Sequence, residues 1–270
     1  YLASPLVSLS RLPAAAASTF VVGLGSALAA NAMTARLRHD GQLSDRQAFL
    51  SALMNSVPVY FRELFTYQLA FVVPVLGLYV GGAYAVVSLS TGLIKLLIVI
   101  ILGRAYLAGE VISSLEPSPV TKEKSIIDAA RKSLSGQKKL FLRIASLYFI
   151  MTFLVLYLSE AGILQSLNVA PLASIFRIPA ETVIPLTIYV ASPKAGIVLL
   201  GPLIQNGGIS ELKALMVLML GSMFMLPVFT IRSTLPNYTS IFGVRLGVSL
   251  TAVSAGISIM VRLLVLLLLL

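Results

Sequence analysis

The sequence contains no cysteine and no tryptophan, a single histidine, and only 11% charged residues. Without cysteine there is no disulfide framework and no thiolate metal or redox centre. His39 stands alone, which nearly excludes a histidine-based zinc site, so neither a metal nor a cofactor is expected. No GxxxxGK(S/T) phosphate loop, HExxH sequence or paired acidic motif in an apolar stretch is present. A Ser–His dyad would need His39, which sits in a basic turn, while Glu160 and Glu181 read as interfacial. Enzyme activity is therefore not expected. A soluble domain carries about 25% charged and about 45–50% apolar residues. Here 58% are apolar, which is the composition of an integral membrane protein and excludes a disordered chain.

What charge there is carries one sign: 20 Lys and Arg against 10 Asp and Glu, a formal net charge of +10 over 270 residues. In so apolar a chain this reads as membrane topology rather than nucleic-acid binding, because Lys and Arg collect in cytoplasmic loops. The chain begins at Tyr1 rather than Met, which leaves room for a preceding segment removed or left out. No cleavable signal peptide is legible.

Apolar stretches of spanning length are Ala83–Leu107, Phe141–Leu158, Leu212–Phe229 and Gly247–Leu270. Pro13–Leu37 and Ala180–Ile204 are as long but interrupted, the first at Gly23, Gly25, Ser26 and Asn31, the second at Pro185, Ser192, Pro193 and Lys194. Residues 110–140 are the one clearly aqueous region. They hold Lys122, Lys124, Arg131, Lys132, Lys138 and Lys139, and Lys122–Leu134 reads as a short amphipathic helix.

Shifted by 166 residues, the start of the chain aligns with its end without a gap. SPLVSLSRLPA (Ser4–Ala14) lies over APLASIFRIPA (Ala170–Ala180), DGQLS (Asp40–Ser44) over NGGIS (Asn206–Ser210), and GLYVG (Gly77–Gly81) over GVRLG (Gly243–Gly247). Ser26 falls on Ser192 and Ser56 on Ser222. Pro, Arg, Gly and Ser in register point to a duplication. Each interrupted stretch divides into limbs of about 12 residues, roughly 18 Å of helix, half a bilayer. That suits re-entrant hairpins with tips at Gly25-Ser26 and at Ser192-Pro193-Lys194.

The expected fold is all-α and polytopic, with two repeats, each a re-entrant hairpin plus two transmembrane helices. The spans would be Ser44–Arg62 and Ala83–Leu107, then Ser210–Phe229 and Gly247–Leu270. Residues 1–108 form the first repeat, 109–140 a basic cytoplasmic loop, 141–165 a linker span and 166–270 the second repeat. One linker span turns the second copy upside down. Charge agrees: Arg11, Arg36, Arg38, Arg46, Arg104, the cluster from Lys122 to Arg143, Arg232 and Arg245 fall on one side, and Arg62, Arg177 and Lys213 on the other. A parallel arrangement of three spans per copy fits less well, and Phe65–Gly82 is apolar enough to enter the membrane by itself.

Inverted repeats with broken helices point to a transporter-like site, because backbone freed by a break persists only beside protein or a wet cavity. The candidate substrate-binding residues are Gly25, Ser26, Asn31, Ser192, Pro193 and Lys194. A Lys at the bilayer centre costs at least about 2.5–3.5 kcal/mol, so Lys194 either lines a polar cavity or snorkels from a shallow tip. A second group comprises Asn55, Ser56, Lys95, Ser222, Asn237 and Arg262. For Asn55, Ser56 and Ser222 helix packing is a sufficient explanation, and for Lys95 and Arg262 snorkelling competes with a shared cavity. Arg62-Glu63 reads as a helix-end ion pair, and RSTLPNY (Arg232–Tyr238) as an ordered loop.

The segments SRLPAAAASTFVVGLGSALAANAM (Ser10–Met33), DGQLSDRQAFLSALMNSVP (Asp40–Pro58), LGLYVGGAY (Leu76–Tyr84) and Gly103-Arg104 resemble the nucleoside-recognition, or Gate, family of membrane domains. The family's relatives include the pore regions of ferrous-iron transporter B and of concentrative nucleoside transporters. The resemblance implies that the repeats form pore and gate, with hairpins near the substrate path. The chain lacks the GTPase domain of the iron transporters and the extra scaffold helices of the nucleoside transporters, so neither iron nor nucleoside carries over as substrate. The expected function is transport or permeation of a small polar solute (nucleoside-like, metal ion or organic anion) in the cell membrane. The alternative is a non-transporting scaffold or regulatory subunit of the same fold. Expected partners are the lipid bilayer, the solute, and a second copy or another membrane subunit.

Overall fold

The computed structural model describes residues 4–107, 176 and 178–270, with scattered helical positions between 142 and 160. The basic loop 109–140, most of the linker span 141–165, and Arg177 lie outside the described residues. Among the described residues every regular element is helical. Four helical runs are long and apolar enough to cross a membrane: Asp45–Leu76, Leu78–Tyr106, Glu211–Phe242 and Val244–Leu268.

The first half runs α1 (Ser4–Leu9), α2 (Ala14–Gly25), α3 (Ala27–His39), α4 (Asp45–Met54), α5 (Val57–Glu63), a π-helical stretch Leu64–Val72, α6 (Val73–Leu76) and α7 (Leu78–Tyr106). The second half runs α8 (Val183–Ala191), α9 (Pro193–Gln205), α10 (Glu211–Phe229), a π-helical stretch Thr230–Thr234, α11 (Leu235–Phe242) and α12 (Val244–Leu268). The boundaries repeat at the 166-residue shift. Ser26 ends α2 and Ser192 ends α8, both in extended backbone between two limbs. Ser44 caps α4 through a capping box with Gln47, and Ser210 caps α10 by accepting from the Lys213 amide. Gly77 (φ 84°) and Gly243 (φ 85°) divide the spans at matching places, in backbone that side chains rarely adopt. One turn on, a Cβ at Gly81 would stand 2.7 Å from Val73 Cα, and one at Gly247 would stand 2.5 Å from Thr239 Cα, again equivalent pairs.

Two boundaries differ from the sequence expectation. Ser44–Arg62 and Phe65–Gly82 are not separate: Asp45–Leu76 is one helical run, Arg62-Glu63 lies in its middle, and Gly77 makes the break. Likewise Arg232–Tyr238 is helical, not a loop, and Arg232 stands inside the run Glu211–Phe242. Pro58, Pro74 and Pro236 sit in the first turn of α5, α6 and α11, where a missing N–H costs little, and the π-helical stretches join α5 to α6 and α10 to α11.

The halves embrace reciprocally. α3 packs against α11 of the other half, and α9 packs against α6, the element equivalent to the end of α11. α7 meets α10 and α12, and α12 meets α4 and α7. Each apolar core is therefore shared: one joins Val72, Leu76 and Val80 to Leu186, Ile197 and Leu200, the other joins Ala16, Leu50 and Leu53 to Ile241, Phe242 and Leu250. α7 and α12 bury polar side chains and turn apolar ones outward. On α7, Tyr84, Ser88, Thr91 and Lys95 are buried, while Val86, Leu93, Leu97 and Ile101 are exposed. That inversion of the soluble pattern is what a hydrocarbon solvent requires.

Candidate functional site

Two buried polar clusters lie within the long helical runs. The first lies where the hairpin α2–α3 meets the break between α4 and α5. Asn55 Nδ2 donates to Thr34 Oγ1 at 3.0 Å and Asn31 Oδ1 at 3.4 Å, and Asn55 Oδ1 accepts from Thr19 Oγ1 at 3.2 Å. Tyr238, on α11, lies near Asn31, where the hairpin packs against the other half. Asn55, Thr19 and Thr34 are fully buried; the two hydroxyls also bond the Ala16 and Ala30 carbonyls, whereas the Asn55 side chain finds its partners in this cluster.

The second cluster lies between α5, α7 and α12. Lys95 Nζ donates to Ser254 Oγ at 2.8 Å and to Tyr60 Oη at 2.9 Å, and Tyr60 Oη shares a 3.4 Å bond with Ser258 Oγ. Arg262 Nε donates to Ser222 Oγ at 3.0 Å, and its Nη1 to the Ser258 carbonyl at 2.9 Å. Lys95 is 3% exposed and Arg262 7%, so neither snorkels to an interface. Among the described residues no carboxylate lies within 4.0 Å of either; the half-buried Glu63 is the one in electrostatic reach of both.

The hairpin tips differ from these clusters. Gly25 is exposed, and its carbonyl accepts from Arg62 Nη1 at 2.9 Å, so Arg62 braces the first tip instead of pairing at a helix end. The hydroxyl of Ser26 is spent on capping α3, accepting from the Ala29 amide at 3.2 Å. Ser192 and Lys194 are exposed and Pro193 opens α9. No described bond joins the two tips. Ser56 donates to the Leu53 carbonyl within its own turn, and Asn237 accepts from Ser240 through its main chain. The structure therefore brings together Asn31 with Asn55, and Lys95 with Ser222 and Arg262, but not the residues of the tips.

A cavity of about 1020 Å³ opens at one end of the molecule, by the foot of the first hairpin. Arg38, Arg46 and Arg245 line it together with Leu102 and Leu246. Arg38 is held by Asp45 at 2.6 Å and by the Phe242 carbonyl at 3.1 Å. The end of α7 and the start of α12 both border this cavity, so these two helices run in opposite directions past it.

Sequence reasoning missed Tyr60, Thr19, Thr34, Ser254 and Ser258. A signal existed for the last two: Ser254, Ser258 and Arg262 recur every fourth residue, one polar stripe on an apolar helix.

No family model matches the chain, and no solved structure matches it. Two curated proteins of Methanocaldococcus jannaschii do. The uncharacterized protein MJ0880 is 24% identical over 98% of this chain and 86% of its own length. The uncharacterized protein MJ0871 is 27% identical over 82% of this chain and 69% of its own length. Both names are silent about activity.

Proposed function

We propose that the chain is a membrane transporter or pore for a small polar solute, built as two inverted repeats of the Gate type. The observation that carries this reading is the set of buried polar groups: Lys95, Arg262 and the Asn55 cluster lie inside long helical runs whose outer faces are apolar. Polar and ionised groups are expensive there and are retained along substrate paths. The broken hairpins add support, since re-entrant limbs line sites in inverted-repeat transporters. Inversion is supported by the opposed courses of α7 and α12 and by Arg38, Arg46, Arg104 and Arg245 gathering at one end. That end is the cytoplasmic one in this reading. The substrate path runs from the basic cavity past Tyr60 and Lys95 rather than directly between the tips.

The test is uptake into proteoliposomes of labelled solutes: a nucleoside, a divalent metal and a small organic acid. Accumulation above protein-free vesicles, reduced by Lys95→Met, is expected. Uptake of none of them would overturn the reading. A second reading, a scaffold subunit, is favoured by one observation: the central polar groups bond one another, as a packed interface requires.

A further inference from the structure

Resting on the transport reading, we infer that the solute is an oxyanion, a carboxylate or phosphate, and that Lys95 and Arg262 bind it with Tyr60, Ser254 and Ser258. The argument is one of charge and unused donors. Among the described residues Glu63 is the one carboxylate in electrostatic reach of Arg62, Lys95 and Arg262, and it forms no ion pair with any of them. Lys95 and Arg262 are almost fully buried, and both act electrostatically on the Tyr60 hydroxyl between them. A buried charge without a partner is strongly unfavourable, and a bound anion is the missing compensation. Lys95 has three N–H donors and Arg262 five; each uses two in described bonds. The remaining guanidinium donors suit the paired oxygens of a carboxylate or phosphate.

The approach has the same polarity. Arg46 and Arg245 line the cavity alongside Arg38, and among the described residues the one carboxylate in its lining, Asp45, is already paired. A cavity of one sign concentrates counter-ions. Ser249, in its wall, lies on α12, the helix that also carries Ser254, Ser258 and Arg262.

The experiment is thermal unfolding of the purified full chain with phosphate, acetate or succinate, against uridine and magnesium chloride. At least one oxyanion is expected to raise the midpoint, with apparent affinity weakened about tenfold or more in Lys95→Met and in Arg262→Leu. Arg36→Gln, which removes a surface cation far from the cluster, keeps the response. Arg262→Lys, which keeps the charge but loses the planar fork, gives an intermediate response and guards against misfolding of the leucine variant. Stabilisation by uridine or magnesium alone would overturn the oxyanion assignment and leave the transport reading standing. An oxyanion response that survives both Lys95→Met and Arg262→Leu, or no oxyanion response in a chain that transports in vesicles, would overturn it as well.

Discussion

The two hairpins share a backbone and differ in what fills them. Around the first, Thr19, Asn31, Thr34 and Asn55 form one hydrogen-bonded cluster, with Tyr238 close to Asn31. The equivalent positions around the second are Pro185, Ile197, Leu200, Gly221 and Val72, all buried and without a polar side chain. Size is exchanged as well. Gly23 fits against Asn55 in the first half, whereas in the second Tyr189, at the position of Gly23, fills the space over Gly221. The duplication preserves helix ends, caps and glycine breaks, and lets the interior diverge. A polar interior is tolerable only when fully paired and is sensitive to loss of any member. The first hairpin is thus the specialised copy, and the second is packed like an ordinary core.

Substitutions at matched positions test that contrast. The largest effect is expected for Asn55→Leu, which removes the bonds to Thr19, Asn31 and Thr34, leaves the two hydroxyls only their Ala16 and Ala30 carbonyls, and should cost about 3 kcal/mol in unfolding of the detergent-solubilised chain. The matched Gly221→Ala places a methyl 2.9 Å from the Tyr189 ring and should cost about 1–3 kcal/mol by crowding alone. Equal costs at the two sites would erase the distinction. Gly77→Ala and Gly243→Ala are the symmetric control: each forces a side chain into the same disfavoured backbone and should cost about 1–3 kcal/mol alike. The smallest effects separate the tips. Ser26→Ala removes a cap and should cost about 1 kcal/mol, whereas Ser192, whose side chain caps nothing, should tolerate alanine within about 0.5 kcal/mol.

Much of the fold was legible before any coordinates. The 166-residue shift placed both hairpins and their breaks, because Ser, Pro and Gly announce where a helix must stop. Span ends were less legible. Arg62-Glu63 read as a helix end and Arg232–Tyr238 as a loop, yet each lies inside one long helical run. The candidate site was half legible. Lys95, Arg262, Asn31 and Asn55 stand out as polar residues in apolar stretches. Tyr60, Ser254 and Ser258 do not, since a tyrosine or serine in a span is ordinary until a buried cation is found bonded to it. The tips drew attention through their broken backbone, but Ser26 spends its hydroxyl locally and Lys194 faces outward.

The central claim is that the two halves enter the membrane from opposite sides. The native chain has no cysteine, so single cysteines report without background. Gln42→Cys and Asn206→Cys sit in the equivalent turns after α3 and α9, both exposed. In sealed, oriented vesicles treated with a membrane-impermeant maleimide, the inverted arrangement predicts that one is labelled from outside and the other only after the vesicles are opened. Labelling of both from the same side would contradict it.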